Sequence, residues 1–283
     1  STLGNKLDGK RALVTGVGGE RGIGRAIAVR LAEEGADVVG NDITAQPYAD
    51  TPGRSDWGGL PDVVREIEAL GRRSMAVEAD VADKQQVQQM VDRILGTYDG
   101  IDILVNNAGS RPGKDRVELV DLEEEAWDKV QRVNVKGTFI CSQAVVRSMI
   151  DRGQGGKVIN MSSTAGKGGI PKYAAYCTSK FAIIGLTQSL AHEVAQHRIT
   201  VNAIRPGLTD TERVDYMADA LAPEGVTGSD YRPDLVQDWA STVPLGRIGT
   251  GTDIARMAAF LASPESDYIT GLAINVAGGM VMH

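Results

Sequence analysis

The stretch "PKYAAYCTSK" (171–180) brings two phenols and one amine together: Tyr173, Tyr176 and Lys180. Tyr176 and Lys180 are four residues apart, a spacing that puts both on one face of a helix. The same offset from Tyr173 lands on Cys177 and supplies no partner. A free phenol ionises near pH ~10 and is a poor acid–base group at neutral pH. A neighbouring ammonium favours the phenolate. A phenol tuned in this way can take the proton of an alcohol in one direction and return it to a carbonyl in the other. The plain alternative is a surface pair at the start of a helix.

A second pattern lies near the other end of the chain. In "TGVGGERGIG" (15–24), Gly16, Gly22 and Gly24, with Ile23 between the last two, stand where a strand hands over to a helix. Glycines there let the backbone turn tightly and approach a pyrophosphate, whose charge then sits at the helix N-terminus. Asp42 follows 18 residues after Gly24, at the end of the next strand. A carboxylate at that place binds the adenosine ribose hydroxyls of NAD and repels the extra phosphate of NADP. Arg21 argues the other way, because a guanidinium there can pair with a 2′-phosphate, or it is a solvated turn residue. Asp42 acts on the discrimination directly, so NAD is the expected cofactor.

Other chemistries find little support. His192 and His197 in "HEVAQH" are five residues apart, which places them about 140° apart around a helix rather than on one face. No Cys/His cluster points to a metal, and Ser163 has neither a G-x-S-x-G elbow nor a partner histidine. The net charge of −7, without blocks of like charge, argues against nucleic acid or an anionic membrane as partner. No apolar run approaches the roughly 20 residues that span a bilayer, and "STLGNKLDGKRALVTG" lacks a signal pattern. Two cysteines, Cys141 and Cys177, suggest no disulfide framework, so a cytoplasmic location is expected.

The elements that must position these residues alternate along the chain. Strand-like runs at 11–16, 36–42, 74–80, 101–109, 156–163, 199–207 and 271–279 are separated by helical patterns, among them 22–35, 60–71, 84–98, about 122–149, 174–197 and 251–263. This predicts an α/β fold: a single Rossmann-type, doubly wound domain with a seven-stranded, mainly parallel sheet flanked by helices. Two segments break the rhythm, a Pro/Gly-rich insertion at 43–59 and a strandless connection at 208–249. Connections of that length are functional lids or disordered.

The glycine turn, "ADV" (79–81), "NNAG" (106–109), "VNVKG" (133–137), "INMSS" (159–163), "YCTSK" (176–180) and "RPGLTDT" (205–211) occur in an order that resembles the short-chain dehydrogenase/reductase family over nearly the whole chain. The resemblance implies hydride transfer with a nicotinamide cofactor and a helical substrate lid at about 208–249. It implies a catalytic set of Asn134, Ser163, Tyr176 and Lys180. Tyr176 is then the general base or acid, Lys180 also binds the nicotinamide ribose, Ser163 holds the substrate oxygen, and Asn134 anchors a proton-relay water. Further cofactor contacts are implied for Asp80 and Val81 at the adenine, for Asn107, Ala108 and Gly109 beside the fourth strand, and for Pro206, Gly207, Thr209 and Thr211. Each has a plainer reading, such as a strand-end cap for Ser163 or helix caps for the threonines. The chain departs from the family pattern with five residues between Gly16 and Gly22, where three are usual, and with "VAGG" (276–279) for "VDGG".

The substrate is expected to be a small alcohol or ketone. Sugars, polyols and hydroxy acids come first and cyclic or terpenoid alcohols second, and a homotetramer is expected by resemblance. Arg111, Lys114, Arg116, Lys167, Lys172, Arg213 and Arg232 are either anion-holding cations or surface charges. An NADP-dependent 3-oxoacyl reductase and a non-catalytic dinucleotide sensor are the rival readings.

Overall fold

The computed structural model describes residues 5–50 and 56–283, so residues 51–55 of the expected insertion lie outside the described residues. The apolar runs become β1 (Arg11–Thr15), β2 (Asp37–Asp42), β3 (Ser74–Glu78), β4 (Ile103–Asn106), β5 (Gly156–Met161), β6 (Ile199–Pro206) and β7 (Ala273–Val276). They form one sheet in the order β3-β2-β1-β4-β5-β6-β7, and every described pairing is parallel. The helices between them are α1 (Ile23–Glu33), α2 (Leu60–Ala69), α3 (Lys84–Tyr98), α4 (Glu124–Gln131), α5 (Gly137–Arg152), α6 (Ala174–Val194), α7 (Glu212–Leu221), α8 (Gly228–Ser241) and α9 (Gly251–Ala262).

The strands read as unbroken apolar runs because both faces of the sheet are covered. Val14, Ile103, Val105 and Ile204 face a layer built with Ile27 and Leu31 of α1, Ile67 of α2 and Ile254 of α9. Leu13, Leu104, Val158 and Val201 face the opposite layer, built with Val87 and Ile94 of α3, Val145 of α5 and Ala191 of α6. Each such Val, Leu or Ile side chain, fully buried, contributes about 1.5–3 kcal/mol. Caps set several helix starts. Asp83 accepts from the N–H groups of Gln85 and Gln86 at the head of α3, and Thr250 with Asp253 forms a capping box on α9.

The expected helical region of 122–149 is divided. A π-type turn over Arg132–Lys136 joins α4 to α5 and carries Asn134. Beyond β6 the strandless connection, the expected lid, folds into α7 and α8. A parallel bridge between Thr209 and Gly249, with Asp210 N–H donating to Gly249 O at 2.9 Å, brings the two ends of the lid together. Because β1 lies between β2 and β4, the connections from β1 and β4 leave to opposite faces. The crevice outside their carboxyl ends is where such sheets bind ligands.

Candidate active site

The glycine turn leaves β1 toward α1. Gly16 has φ +70°, and a side chain there would come within 2.8 Å of Ala108 Cα. A side chain at Gly24 would collide with the Gly16 carbonyl. The end of β4 is laced to this turn. Asn107 Nδ2 donates to the carbonyls of Thr15 at 3.0 Å and Gly16 at 2.9 Å, and the Thr15 hydroxyl accepts from the N–H groups of Asn107 and Ala108. Asp42, at the end of β2, accepts from Gly18 N–H at 2.9 Å and Ile43 N–H at 2.8 Å. Burial pushes its carboxyl up from the usual range, and those two N–H groups oppose the shift. The described ends of the insertion pack on the same turn: Pro47 lies against Gly18, and Trp57 Nε1 donates to Gly18 O at 2.9 Å.

At the other end of the crevice α6 presents Tyr176 and Lys180 on one face, as their spacing predicts. Lys180 is buried, its Nζ donates to Met161 O at 2.8 Å, and it stands 5.6 Å from the Tyr176 ring centroid. Burial, with the charge of Arg213 second, pushes the Lys180 amine down to about 7. Arg116 covers both tyrosines, 4.7 Å from the Tyr176 ring and 4.3 Å from that of Tyr173, and it pairs with the buried Asp115. Tyr173 meets Tyr176 edge-on with centroids 6.3 Å apart.

Ser163 and Ser162 follow β5. Ser162 is spent inside the protein, its hydroxyl donating to Lys180 O at 2.8 Å. Ser163 is less buried, and its Oγ accepts from Ala165 N–H at 3.1 Å, so the capping reading and a cavity-facing role coexist. Arg205, wholly buried, fixes this turn by donating to the carbonyls of Ser163, Thr164 and His283. Asn134 is buried as well. Its Oδ1 accepts from Ser110 N–H at 2.8 Å, its Nδ2 donates to Ser179 Oγ at 2.9 Å, and its carbonyl accepts from Thr138 Oγ1 at 2.7 Å.

A single cavity of about 710 Å³ joins the two ends. It is lined by every site residue expected from the sequence except Gly24 and Asn134, which stand behind its wall. Asp80 lines it with its carboxylate paired to Arg132, and Thr211 lines it while capping α7. The lining also includes the apolar side chains of Ile170, Val214, Met217, Trp239 and Met280.

The lid is tied to the glycine turn. Arg21 pairs with Asp215 and Asp210, its N–H donates to the Glu212 carboxylate, and Arg232 bridges the same two aspartates. Arg21 is exposed, as one sequence reading expects, but it is ion-paired to the lid, and Arg232 is committed to the same two aspartates. Lys114, Lys167 and Lys172 are exposed and do not line the cavity. Glu212 and Tyr48 are site neighbours that sequence reasoning missed. The lengthened glycine turn was the one signal for the first of them. Among the described residues no group of His, Cys, Asp or Glu is arranged for a metal, and no helix is long and apolar enough to cross a membrane.

Comparison with known proteins agrees with this fold. A family model described as enoyl-(acyl carrier protein) reductase matches residues 16–281. The chain is 39% identical over 274 residues to a short-chain dehydrogenase/reductase of Armillaria gallica, covering 96% of both chains. It is 40% identical to a 3-oxoacyl-[acyl-carrier-protein] reductase of Staphylococcus aureus, covering 96% of this chain and 98% of that one. Among solved structures, carveol dehydrogenase from Mycobacterium avium in complex with NAD aligns with a TM-score of 0.86 at 29% identity, over 97% of this chain and 98% of that one. An NAD+-bound xylitol dehydrogenase aligns with a TM-score of 0.83 at 32% identity, over 97% and 100%.

Proposed function

The chain belongs to the short-chain dehydrogenase/reductase family of oxidoreductases, and from that premise we propose that it interconverts a secondary alcohol and its ketone with NAD as the hydride carrier. One observation carries the reading: Tyr176, Lys180 and Ser163 converge at one end of a cavity whose other end holds Asp42. When bound, NAD supplies the hydride acceptor for alcohol oxidation, and its reduced form supplies the donor for the reverse reaction. The residues present fit a dinucleotide, since the side-chain-free surface at Gly16 and Gly22 opens into the cavity that Asp42 closes. Asp42 is suited to accept from ribose hydroxyls and to repel a 2′-phosphate. Arg21, the residue that favoured NADP, is committed to Asp210 and Asp215. The NAD carried by both aligned structures supports the same cofactor for this chain.

In this reading the Tyr176 phenolate takes the substrate's proton and becomes the phenol, while the Ser163 hydroxyl holds the substrate oxygen. Lys180 orients on the Met161 carbonyl and passes the proton on. The Asn134 side chain is already engaged by Ser110 and Ser179, so its relay role falls to the main-chain carbonyl, which keeps a second lone pair beside Thr138 Oγ1. The apolar side chains in the cavity lining, Ile170, Val214, Met217, Trp239 and Met280, favour cyclic or otherwise hydrocarbon-rich alcohols over sugars and polyols, the reverse of the order expected from sequence.

Replacing Tyr176 by Phe tests the assignment. Turnover should fall by about 10²–10⁴-fold while NADH affinity stays within a few-fold, roughly the cost of one lost neutral hydrogen bond. Unchanged turnover would remove Tyr176 from proton transfer. A 3-oxoacyl reductase is the second reading, favoured by the 40% identical relative, and a preference for NADPH with acyl thioesters would establish it. The sensor reading predicts cofactor binding without turnover of any alcohol. We also propose a cytoplasmic homotetramer. Phe139 on α5 and Phe181 on α6, 46% and 47% exposed, suit a subunit contact, and a monomer mass by light scattering would contradict it.

A further inference from the structure

Five cations line the cavity: Arg111, Arg116, Lys129, Lys180 and Arg213. Four of them are accounted for. Arg116 pairs with Asp115. Arg111 stacks on Tyr48 at 4.5 Å and approaches Asp50 at 3.4 Å. Lys129 is exposed to solvent, and Lys180 donates to Met161 O within the proton-transfer set. Arg213 differs. It is half-buried, and its guanidinium donates to Gly109 O at 3.2 Å. Among the described residues no carboxylate forms an ion pair with it.

Two physical penalties meet at this residue. Partly desolvating a guanidinium without a counter-charge is unfavourable. Arg213 also stands in the first turn of α7, directly after the N-cap Thr211 and Glu212. The positive end of the helix dipole disfavours a cation there and favours an anion. Both penalties disappear if a ligand brings negative oxygens to the guanidinium. The surroundings hold it in place for that. A side chain at Gly109 would lie 3.1 Å from Arg213 Nη2 and 3.4 Å from Asn134 Oδ1, so the lid cation packs closely over the end of β4. It thus lies in the cavity lining at the end of β4, next to Gly109 and Asn134.

We infer that Arg213 is an oxyanion receptor carried into the cavity by the lid. The negative oxygens come either from the pyrophosphate of the dinucleotide or from a carboxylate on the substrate. The first source rests on the dinucleotide-binding reading above, and the second deepens it by making the substrate an acid.

Arg213→Gln tests the assignment, because the amide can keep the bond to Gly109 O while the charge is lost. Three titrations are read by calorimetry on parent and variant: NADH, adenosine, and cyclohexanecarboxylate against its neutral amide on the NADH complex. A pyrophosphate partner predicts NADH binding weakened by about 10- to 100-fold, with adenosine unchanged. A substrate carboxylate predicts unchanged NADH binding and loss of the parent's preference for carboxylate over amide. If the variant alters neither, the assignment is overturned. Should NADH fail to bind the parent, the cofactor reading fails separately. Inorganic pyrophosphate on the cofactor-free protein then decides Arg213: weaker binding to the variant supports it, and equal binding overturns it.

Discussion

At the scale of residues, the site is a set of groups whose charges are set by burial. Lys180 is the clearest case. Its amine is pushed down to about 7 from an ordinary value of 10.5. Between those two values the unfolded chain binds the proton that the folded protein releases, so this group makes the protein more stable as pH rises from about 7 toward 10.5. Below about 7 it is charged in both states and its burial cost is fully present. In cofactor-free protein, Lys180→Met should therefore gain melting temperature relative to the parent at pH 6 and lose that advantage progressively by pH 9. A constant difference across that range would mean that Lys180 is not buried as described. The Tyr176–Lys180 pair was legible in the sequence because the helix repeat alone puts residues four apart on one face. Arg116 and Arg213 were visible only as members of a list of cations. Their places over Tyr176 and Gly109 are set by packing of a loop and a lid, which no local period encodes.

At the scale of elements, the glycine turn and the lid act as one assembly. The turn is longer than the family pattern, and the added length carries Arg21 across to Asp210 and Asp215, where Arg232 completes the network. The Glu212 carboxylate meanwhile takes the Arg21 N–H. Arg21→Ala should loosen the lid with little effect on the sheet. Amide hydrogen exchange should accelerate in α7 and α8 and stay unchanged in β1 and β4; equal exchange in the lid of parent and variant would rule out the latch. Exposed ion pairs contribute little individually, so the expected change is local opening and not global unfolding. The sequence announced the extra turn length but not its partner, because the contact joins residues nearly 200 positions apart, Arg21 and Asp215. The π-type turn at Arg132–Lys136 was equally hidden, since its apolar spacing continues that of the helices on either side.

At the scale of the whole molecule, alternating apolar runs foretold the architecture well. Strands buried on both faces must read as continuous apolar segments, and Leu13, Val14, Leu104 and Val105 do so while serving opposite layers. The parallel order of the sheet then brings the glycine turn, Asp42, Asn107, Ser163 and Gly207 to one crevice although they span nearly the full chain. Substrate preference was not legible, because the residues that shape that end come from α7, α8 and the C-terminal segment and converge only in the folded lid. The measurement that bears most directly on the central claim is NADH formation from NAD+ over a panel of cyclic secondary alcohols, hydroxy acids, sugars and polyols, with NADP+ in parallel. The account predicts turnover with NAD+ for alcohols of largely hydrocarbon skeleton, a much weaker rate with NADP+, and loss of both in Tyr176→Phe. NADP+ preferred over NAD+, or turnover that survives Tyr176→Phe, would contradict it.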